Sequence, residues 1–172
     1  MGRFLIACSA LLLWIGLGCQ QSGSGSSLAR PGTDVGRVAL VDASGQRSSL
    51  ADYRGRVVLI DIWATWCPPC RRSLPELAQL QRGSGPEAAV LAISVDEKGW
   101  EAVRPFLAER PELGLRAHLP ADRKALEALG SIRGIPTSFV LDRQGRVRSS
   151  WVGYQEGRAA RELAEALRTP AG

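Results

Sequence analysis

The sequence has few residues that could hold a metal ion. Its 172 residues include one histidine and four cysteines, whereas a structural zinc site needs four ligands, usually from two cysteine or histidine pairs. If the apolar N-terminus is cleaved as a signal peptide, only Cys19, Cys67, Cys70 and His118 remain as candidates. His118 is more typical of an ordinary strand or surface histidine. We therefore expect no metal centre.

Clusters of positive charge are also lacking. The 22 basic and 17 acidic residues give a formal net charge of +5, but the two signs alternate along the chain. Proteins that bind nucleic acids usually concentrate their basic residues and place aromatic residues among them. The charges here are typical of solvated faces, and we expect no nucleic-acid partner.

The N-terminal apolar stretch from Phe4 to Leu17 is too short to cross a bilayer comfortably. It follows Arg3, as in a signal peptide, and it ends at a Gly18-Cys19 pair that resembles a bacterial lipoprotein processing site. Gly16 departs from that pattern, which usually has leucine there. The resemblance predicts a signal peptide over 1–18 and lipidation of Cys19, which would anchor the protein to a membrane. An ordinary signal peptide or an uncleaved anchor remains the alternative.

The segment after Cys19 is predicted to be a tether. Residues 20–27 are glutamine, serine and glycine only, a composition typical of flexible linkers or disordered termini. We assign 19–35 to the lipidated cysteine and tether, and 36–170 to one domain, since about 135 residues suffice for one core. Gln20 stands where inner-membrane lipoproteins have aspartate, which favours the outer membrane.

The pair Cys67 and Cys70 indicates redox chemistry. The apolar run from Val57 to Ile60 predicts a buried strand, and a helix is predicted to begin at Pro68. Cys67 would then lie at a helix N-terminus, where the helix dipole favours the nucleophilic thiolate. Half a zinc site and a structural disulfide are the alternatives, although a bridge that closes so short a loop constrains little of the unfolded chain.

Strand and helix patterns alternate through the domain, with hairpins near its ends. This order predicts an α/β sandwich with a mixed central sheet flanked by helices. The predicted strands are 38–42, 47–50, 57–63, 88–95, 116–119, 137–141 and 147–152, and the predicted helices are 68–81, 100–110, 122–129 and 156–168.

Three motifs together resemble the thioredoxin fold, and specifically the TlpA/ResA-like class of exported thiol-disulfide oxidoreductases. They are the segment WATWCPPC at 63–70, Pro75 in the following helix, and the segment GIPT at 134–137. The N-terminal β-hairpin and a helix–strand insertion within 100–119 match the additions of that class. The resemblance implies a thioredoxin-like sandwich over nearly the whole domain.

The resemblance also implies roles for residues. Cys67 would attack a substrate disulfide and Cys70 would resolve the mixed disulfide. Pro136 would form a cis peptide bond and present the backbone of Ile135 to an extended substrate. The implied substrate contacts are Trp66, Pro68, Pro69, Ile135 and Thr137.

Two positions near the cysteines depart from the class. Asp61 stands where many members have asparagine and where thioredoxin has a buried carboxylate; burial would raise its pKa and suit it to exchange a proton with Cys70. An exposed carboxylate at a sheet edge is the alternative. Ser73 replaces the glutamate of many cytochrome-maturation members, and Glu76 is the nearest substitute. The departure weakens a specific assignment to cytochrome c maturation.

The sequence therefore predicts a membrane-tethered, extracytoplasmic protein-disulfide oxidoreductase that uses the Cys67–Cys70 disulfide and no other cofactor. We expect a monomer that acts on exported protein thiols and disulfides and receives electrons from a membrane thiol carrier. A reductant is favoured, since the central Pro68-Pro69 pair lacks the histidine of strongly oxidising sites. A disulfide donor and a non-catalytic binding module are the alternatives.

Overall fold

A computed structural model describes residues 27–169 as a seven-stranded mixed sheet with helices on its faces. The signal peptide, Cys19 and residues 20–26 lie outside the described residues. The strands are β1 (Ala39–Asp42), β2 (Arg47–Ser49), β3 (Val57–Trp63), β4 (Ala88–Ser94), β5 (Ala117–Pro120), β6 (Thr137–Leu141) and β7 (Val147–Val152). The α-helices are α1 (Pro68–Gly83), α2 (Trp100–Ala108) and α3 (Arg158–Arg168), and three short 3₁₀ turns occupy Leu50–Tyr53, Pro111–Leu113 and Glu127–Leu129.

The sheet order β2-β1-β5-β4-β3-β6-β7 places β3 near the centre. β3 pairs in parallel with β4 and antiparallel with β6. Every residue of β3 and β4 is buried, because a strand covered on both faces needs apolar residues at successive positions. The predicted mixed α/β sandwich is confirmed, including the N-terminal hairpin and the inserted α2 and β5.

Alternation along β3 divides the core into two layers. Leu59 and Trp63 belong to the layer that includes Leu74 and Leu77 of α1, whereas Ile60 belongs to the layer on the opposite face. Because successive side chains of a strand point to opposite faces, Asp61 lies on the same face as α1. The central strand therefore directs one carboxylate toward the helix that begins with the cysteine pair.

The domain begins earlier than the predicted boundary at residue 36. The Ala29 amide donates to the Leu129 carbonyl at 2.8 Å, and the Gly32 amide donates to the Val147 carbonyl at 2.8 Å. Val35 is completely buried in the second core layer. Residues 28–35, assigned to the tether from sequence, therefore form part of the domain. The predicted tether extends from the polar run at 20–27 through residue 35, although Leu28 and Val35 are apolar.

The predicted helix over 122–129 is wrong for most of its length. Only Glu127–Leu129 is helical, as a single 3₁₀ turn. The Asp122 carboxylate accepts the Lys124 amide at 2.8 Å, which favours a local turn over an α-helix. The 3₁₀ turn is followed by Gly130, whose φ is +84°, and a Cβ there would collide with the backbone of the N-terminal segment.

No helix within residues 27–169 is both long enough and apolar enough to span a bilayer.

Candidate active site

The two cysteines form a disulfide where β3 leads into α1. Their sulfur atoms lie 2.08 Å apart, and Cys67 is the N-cap residue of α1. Pro68 and Pro69, the first two helical residues, have no N–H to donate. The first available amide of the helix is that of Cys70, and it donates to Cys67 Sγ at 3.2 Å. In the reduced protein this N–H and the helix dipole favour the Cys67 thiolate.

The loop that leads into β6 meets Cys67. The Ile135–Pro136 peptide bond is cis, as expected from sequence, and the Ile135 carbonyl oxygen lies 3.6 Å from Cys67 Sγ. The Pro136 carbonyl oxygen accepts the Gly153 amide at 2.7 Å, which fixes the loop to the end of β7. The backbone of Ile135 therefore lies beside the sulfur that an incoming substrate would approach.

Thr137 shapes this loop from within. Its side chain is completely buried, and its hydroxyl donates to the Gly134 carbonyl at 2.5 Å. Because its side chain is buried and its hydrogen bond is already made, Thr137 holds the loop in place. Its role as a substrate contact stays a prediction.

Apolar surface surrounds the disulfide. Trp66 is 63% exposed and Val152 is 53% exposed, and they are the exposed large hydrophobic side chains found among residues 27–169. Pro68 is also exposed, while Pro69 and Ile135 are half-buried. Exposed apolar side chains grouped at one place are typical of an interaction site.

A groove of about 440 Å³ extends this surface away from the cysteines. Trp66 and Ile135 form the end nearest the active site, and Leu126 and Ile132 add apolar side chains along it. Charged residues also line the groove, namely Arg123, Glu127 and Arg133. The groove can hold an extended peptide with apolar side chains.

Asp61 is buried on β3, with 3% of its surface exposed. Its Oδ2 accepts the Ser138 hydroxyl at 2.7 Å, whereas its Oδ1 has no hydrogen-bond partner. Burial raises the pKa of Asp61 to about 7, with a further increase from the charge of Glu76 and an opposing decrease from the Ser138 hydrogen bond. The expected burial and raised pKa are thus confirmed, and the exposed alternative is wrong.

Asp61 borders a small cavity of about 10 Å³, which is near the smallest size that holds one water molecule. Pro136, Ser73 and Glu76 also line it. The Ser73 hydroxyl donates to the Cys70 carbonyl at 2.8 Å, so that side chain is already engaged. The cavity thus joins the buried carboxylate, the cis-proline loop and helix α1.

Asp96 was missed by the sequence analysis. It is 8% exposed, and its carboxylate accepts the Thr65 amide at 2.9 Å, the Thr65 hydroxyl at 2.6 Å and the Ser94 hydroxyl at 2.7 Å. Arg71 of α1 donates to the Thr65 carbonyl at 2.6 Å. These bonds fix the segment that precedes Cys67. A polar residue at the carboxyl end of a strand parallel to β3 was the available signal.

Trp63 is a core residue. Its side chain is completely buried, and its ring lies 5.6 Å from the ring of Phe106 at a tilted angle of 48°. Since Phe106 belongs to α2, this contact packs the inserted helix against the strand that leads to the cysteines.

His118 is half-buried in β5, and burial lowers its pKa. Within residues 27–169, no three histidine, cysteine, aspartate or glutamate side chains converge as a possible metal site.

Comparison with known proteins identifies the family. Residues 28–167 match the family model described as Redoxin. The thioredoxin-like protein YneN of Bacillus subtilis (strain 168) is 34% identical over 117 residues, which cover 67% of each chain. The thiol-disulfide oxidoreductase ResA of Geobacillus thermodenitrificans (strain NG80-2) is 35% identical over 119 residues, which cover 66% of this chain and 64% of that protein. The chain thus spans about two thirds of the length of both relatives.

Structural comparison agrees with the sequence matches. The crystal structure of a putative thiol:disulfide interchange protein DsbE from Chlorobium tepidum superposes with a TM-score of 0.70 and 30% identity, covering 81% of this chain and 99% of that one. The disulfide at the N-terminus of α1, the cis-proline loop beside it and these matches point to the same conclusion. The chain belongs to the Redoxin family, as a thioredoxin-like thiol-disulfide oxidoreductase of the TlpA/ResA type.

Proposed function

We propose that this protein is a membrane-tethered, extracytoplasmic reductant of disulfides in other exported proteins. The observation that carries the proposal is the position of Cys67, at the N-terminus of α1 and 3.6 Å from the Ile135 carbonyl oxygen. The helix terminus favours a thiolate, and the loop offers a backbone edge to an extended chain. A nucleophile and a substrate-binding edge therefore meet at one sulfur atom.

Reduction would proceed in two exchange steps. The Cys67 thiolate attacks one sulfur of the substrate disulfide, forms a mixed disulfide and releases the other substrate sulfur as a thiolate, which takes up a proton. Cys70 then loses its proton and attacks Cys67 Sγ. The Cys67–Cys70 bond forms, the bond to the substrate breaks, and the second substrate sulfur leaves. Two electrons thus pass from the dithiol to the substrate, with the disulfide itself as the redox group.

Asp61 is the proposed acceptor of the Cys70 proton. Its position on β3 faces α1, and its pKa of about 7 lets it accept a proton near neutral pH and release it again. Its free Oδ1 and the small cavity beside it support this role, because one water molecule there could carry the proton. Asp61 would perform the same transfer in reverse when the protein is reduced.

Substrate binding is assigned to the apolar surface around the disulfide. Cys70 is completely buried and Cys67 is 2% exposed, so a substrate sulfur reaches Cys67 first. Trp66, Pro68 and the half-buried Ile135 surround that point, and the groove continues from there. We infer that an extended, largely apolar segment of an unfolded or flexible exported protein occupies this surface.

Electrons must be resupplied after each turnover. A membrane thiol carrier is the proposed donor. Lipidation at Cys19 would hold the domain at a membrane surface, and Gln20 favours the outer membrane for that anchor. The match to a thiol-disulfide oxidoreductase named ResA supports disulfide exchange as the reaction. Apocytochrome c is one class of substrate on which such a reductant would act. Ser73 stands where many cytochrome-maturation members have glutamate, and its hydroxyl donates to the Cys70 carbonyl. This position therefore carries no carboxylate that would indicate apocytochrome c specifically.

The direction of exchange can be tested by measuring both half-reactions. The reduced protein is mixed with a disulfide-bonded model protein, and the oxidised protein with a reduced dithiol peptide, at pH 7. We expect the reduction to be faster by about tenfold or more, which corresponds to a difference of roughly 1.4 kcal/mol between the two activation barriers.

The comparison variant is Pro69→His. A cationic imidazole beside the cysteines stabilises the Cys67 thiolate, so this variant should oxidise the dithiol peptide faster, relative to its reduction of the model protein, than the unaltered protein does. Faster oxidation by the unaltered protein would make it a disulfide donor instead. No exchange in either direction would leave the binding-module alternative.

A further inference from the structure

We propose that Glu76 of α1, whose carboxylate is held at the N-terminus of α3, is a second carboxylate beside Asp61. It acts through Asp61 and sets the pH range in which Cys70 attacks Cys67 and releases the substrate. This inference rests on the proposed role of Asp61. Glu76 does not touch the sulfur atoms in this arrangement, so it is a positioning residue.

Glu76 caps a helix other than its own. It lies on α1, and its Oε2 accepts the Gly157 amide at 3.2 Å while its Oε1 accepts the Ala160 amide at 3.4 Å. Gly157 is the N-cap residue of α3 and has no side chain with which to cap it. The carboxylate of Glu76 therefore satisfies amides of the first turn of α3 from outside. The N-terminus of a helix favours a negative charge at that position.

The same carboxylate borders the cavity of Asp61. Asp61, Ser73, Glu76 and Tyr154 all line that small space. Ser73 is engaged with the backbone of α1, and Ser138 already donates to Asp61. Two carboxylates thus meet at one cavity, one buried without a partner at Oδ1 and one held by α3.

A neighbouring negative charge opposes ionisation of Asp61. Burial is the largest cause of the raised pKa of Asp61, and the charge of Glu76 adds to it. Tyr154, from the connection between β7 and α3, has a pKa raised by burial and then by Glu76 and Glu156, with Arg72 opposing. The charge of Glu76 therefore raises the pKa of both Asp61 and Tyr154.

The consequence concerns the second exchange step. Cys70 must lose a proton before it attacks Cys67 Sγ, and ionised Asp61 accepts that proton. With Glu76 present, Asp61 becomes ionised only as the pH approaches neutrality. Removal of the Glu76 charge should let Asp61 ionise at lower pH, so the rate of resolution should begin to rise at lower pH.

The test is the pH dependence of resolution in Glu76→Gln, measured by rapid mixing from pH 5 to pH 9 on the full protein. Glutamine keeps one acceptor oxygen for α3. We expect the midpoint of the rate profile to move to lower pH, and no such movement when the substitution is made in an Asp61→Asn background. Glu76→Asp, which keeps the charge, should retain more of the original profile.

Glu162→Gln is the matched control. Glu162 lies on α3 itself, with 28% of its side chain exposed; it pairs with Arg158 and accepts the Ser149 hydroxyl at 2.7 Å. Its removal should leave the midpoint unchanged. Thermal unfolding of each variant shows whether α3 remains folded.

Each outcome decides between the two proposals. If Asp61→Asn has the profile of the unaltered protein, the proposed role of Asp61 fails. If Asp61→Asn alters the profile but Glu76→Gln does not, only the role of Glu76 fails. A shift in Glu76→Gln that persists in the Asp61→Asn background would mean that Glu76 acts through the fold, which overturns the inference.

Carboxyl ¹³C titration follows Asp61 directly in the unaltered protein and in Glu76→Gln. Since a neighbouring negative charge opposes ionisation of Asp61, the Asp61 signal should titrate at lower pH in the variant. An unchanged Asp61 midpoint would contradict the inference.

Discussion

Replacement of Cys67 by serine is expected to abolish disulfide exchange, whereas replacement of Cys70 by serine is expected to trap the protein in a covalent complex with its substrate. Cys67 has the helix N-terminus and the Ile135 carbonyl beside it, while Cys70 is completely buried. Without Cys67 no nucleophile is accessible. Without Cys70 the mixed disulfide forms but is not resolved.

The expected loss of turnover is at least about a thousandfold in either variant, since residues that act as a unit lose most activity when one is removed. Turnover is measured with a disulfide-bonded model protein and a thiol reductant, and the adduct is detected by mass spectrometry after non-reducing separation. Ser73→Ala is the control: it removes a buried hydroxyl near Cys70 and leaves both sulfur atoms.

Two results would contradict this assignment. An adduct that forms in Cys67→Ser through Cys70 would reverse the roles of the two cysteines. Full partner binding in a variant without either cysteine, together with no measurable exchange in the unaltered protein, would identify a binding module whose disulfide is incidental.

The buried carboxylate of Asp61 is expected to lower the free energy of unfolding as the pH rises. The pKa of Asp61 is raised from 3.8 to about 7 by folding, so between these values the folded state binds more protons than the unfolded state. Stability therefore falls as the pH rises through this range and is lowest above pH 7. A difference of about 3 in pKa corresponds to about 4 kcal/mol in the free energy of unfolding.

Asp61→Asn should remove this penalty. The free energy of unfolding of the oxidised variant should exceed that of the unaltered protein by up to about 4 kcal/mol above pH 7, less the cost of an imperfectly bonded amide. The gain should vanish near pH 4, where Asp61 is protonated in the folded state. Denaturant unfolding of the oxidised protein at pH 4, 6 and 8 measures this trend.

Asp96→Asn is the matched control with the opposite sign. Asp96 is also buried, but its carboxylate accepts three hydrogen bonds from Thr65 and Ser94. Asparagine keeps one acceptor oxygen, but its amide nitrogen cannot accept the hydrogen bonds made to the other, so this variant should be destabilised by about 1–3 kcal/mol. If Asp61→Asn were destabilised equally at pH 4 and pH 8, the buried carboxylate would not be the source of the pH dependence.

Features set by local sequence were predictable. The apolar run of β3 and the prolines that begin α1 indicate their structure within a few residues, and they located the cysteine pair at the start of a helix. The cis-proline loop at GIPT and the burial of Asp61 were implied by the resemblance to the thioredoxin fold. Strand alternation along β3 explains why Asp61 faces α1.

Features set by distant contacts were not predictable from one sequence. Asp96 and Thr65 are 31 residues apart, and Glu76 and Gly157 are 81 apart, so no periodicity links them. The packing of residues 28–35 likewise depends on Leu129 and Val147. The segment at 122–129 has helical composition, but the Asp122 turn and the contact with the N-terminal segment leave only one 3₁₀ turn.

The reduction potential of the Cys67–Cys70 couple tests the account most directly. The protein is equilibrated in dithiol buffers of known potential and followed by tryptophan fluorescence. We predict a reversible two-electron transition near or below about −250 mV, the range of thioredoxin-like reductants. A value near about −120 mV, typical of strong oxidants, would contradict the proposed direction, and the absence of any reversible transition would show that the disulfide is structural.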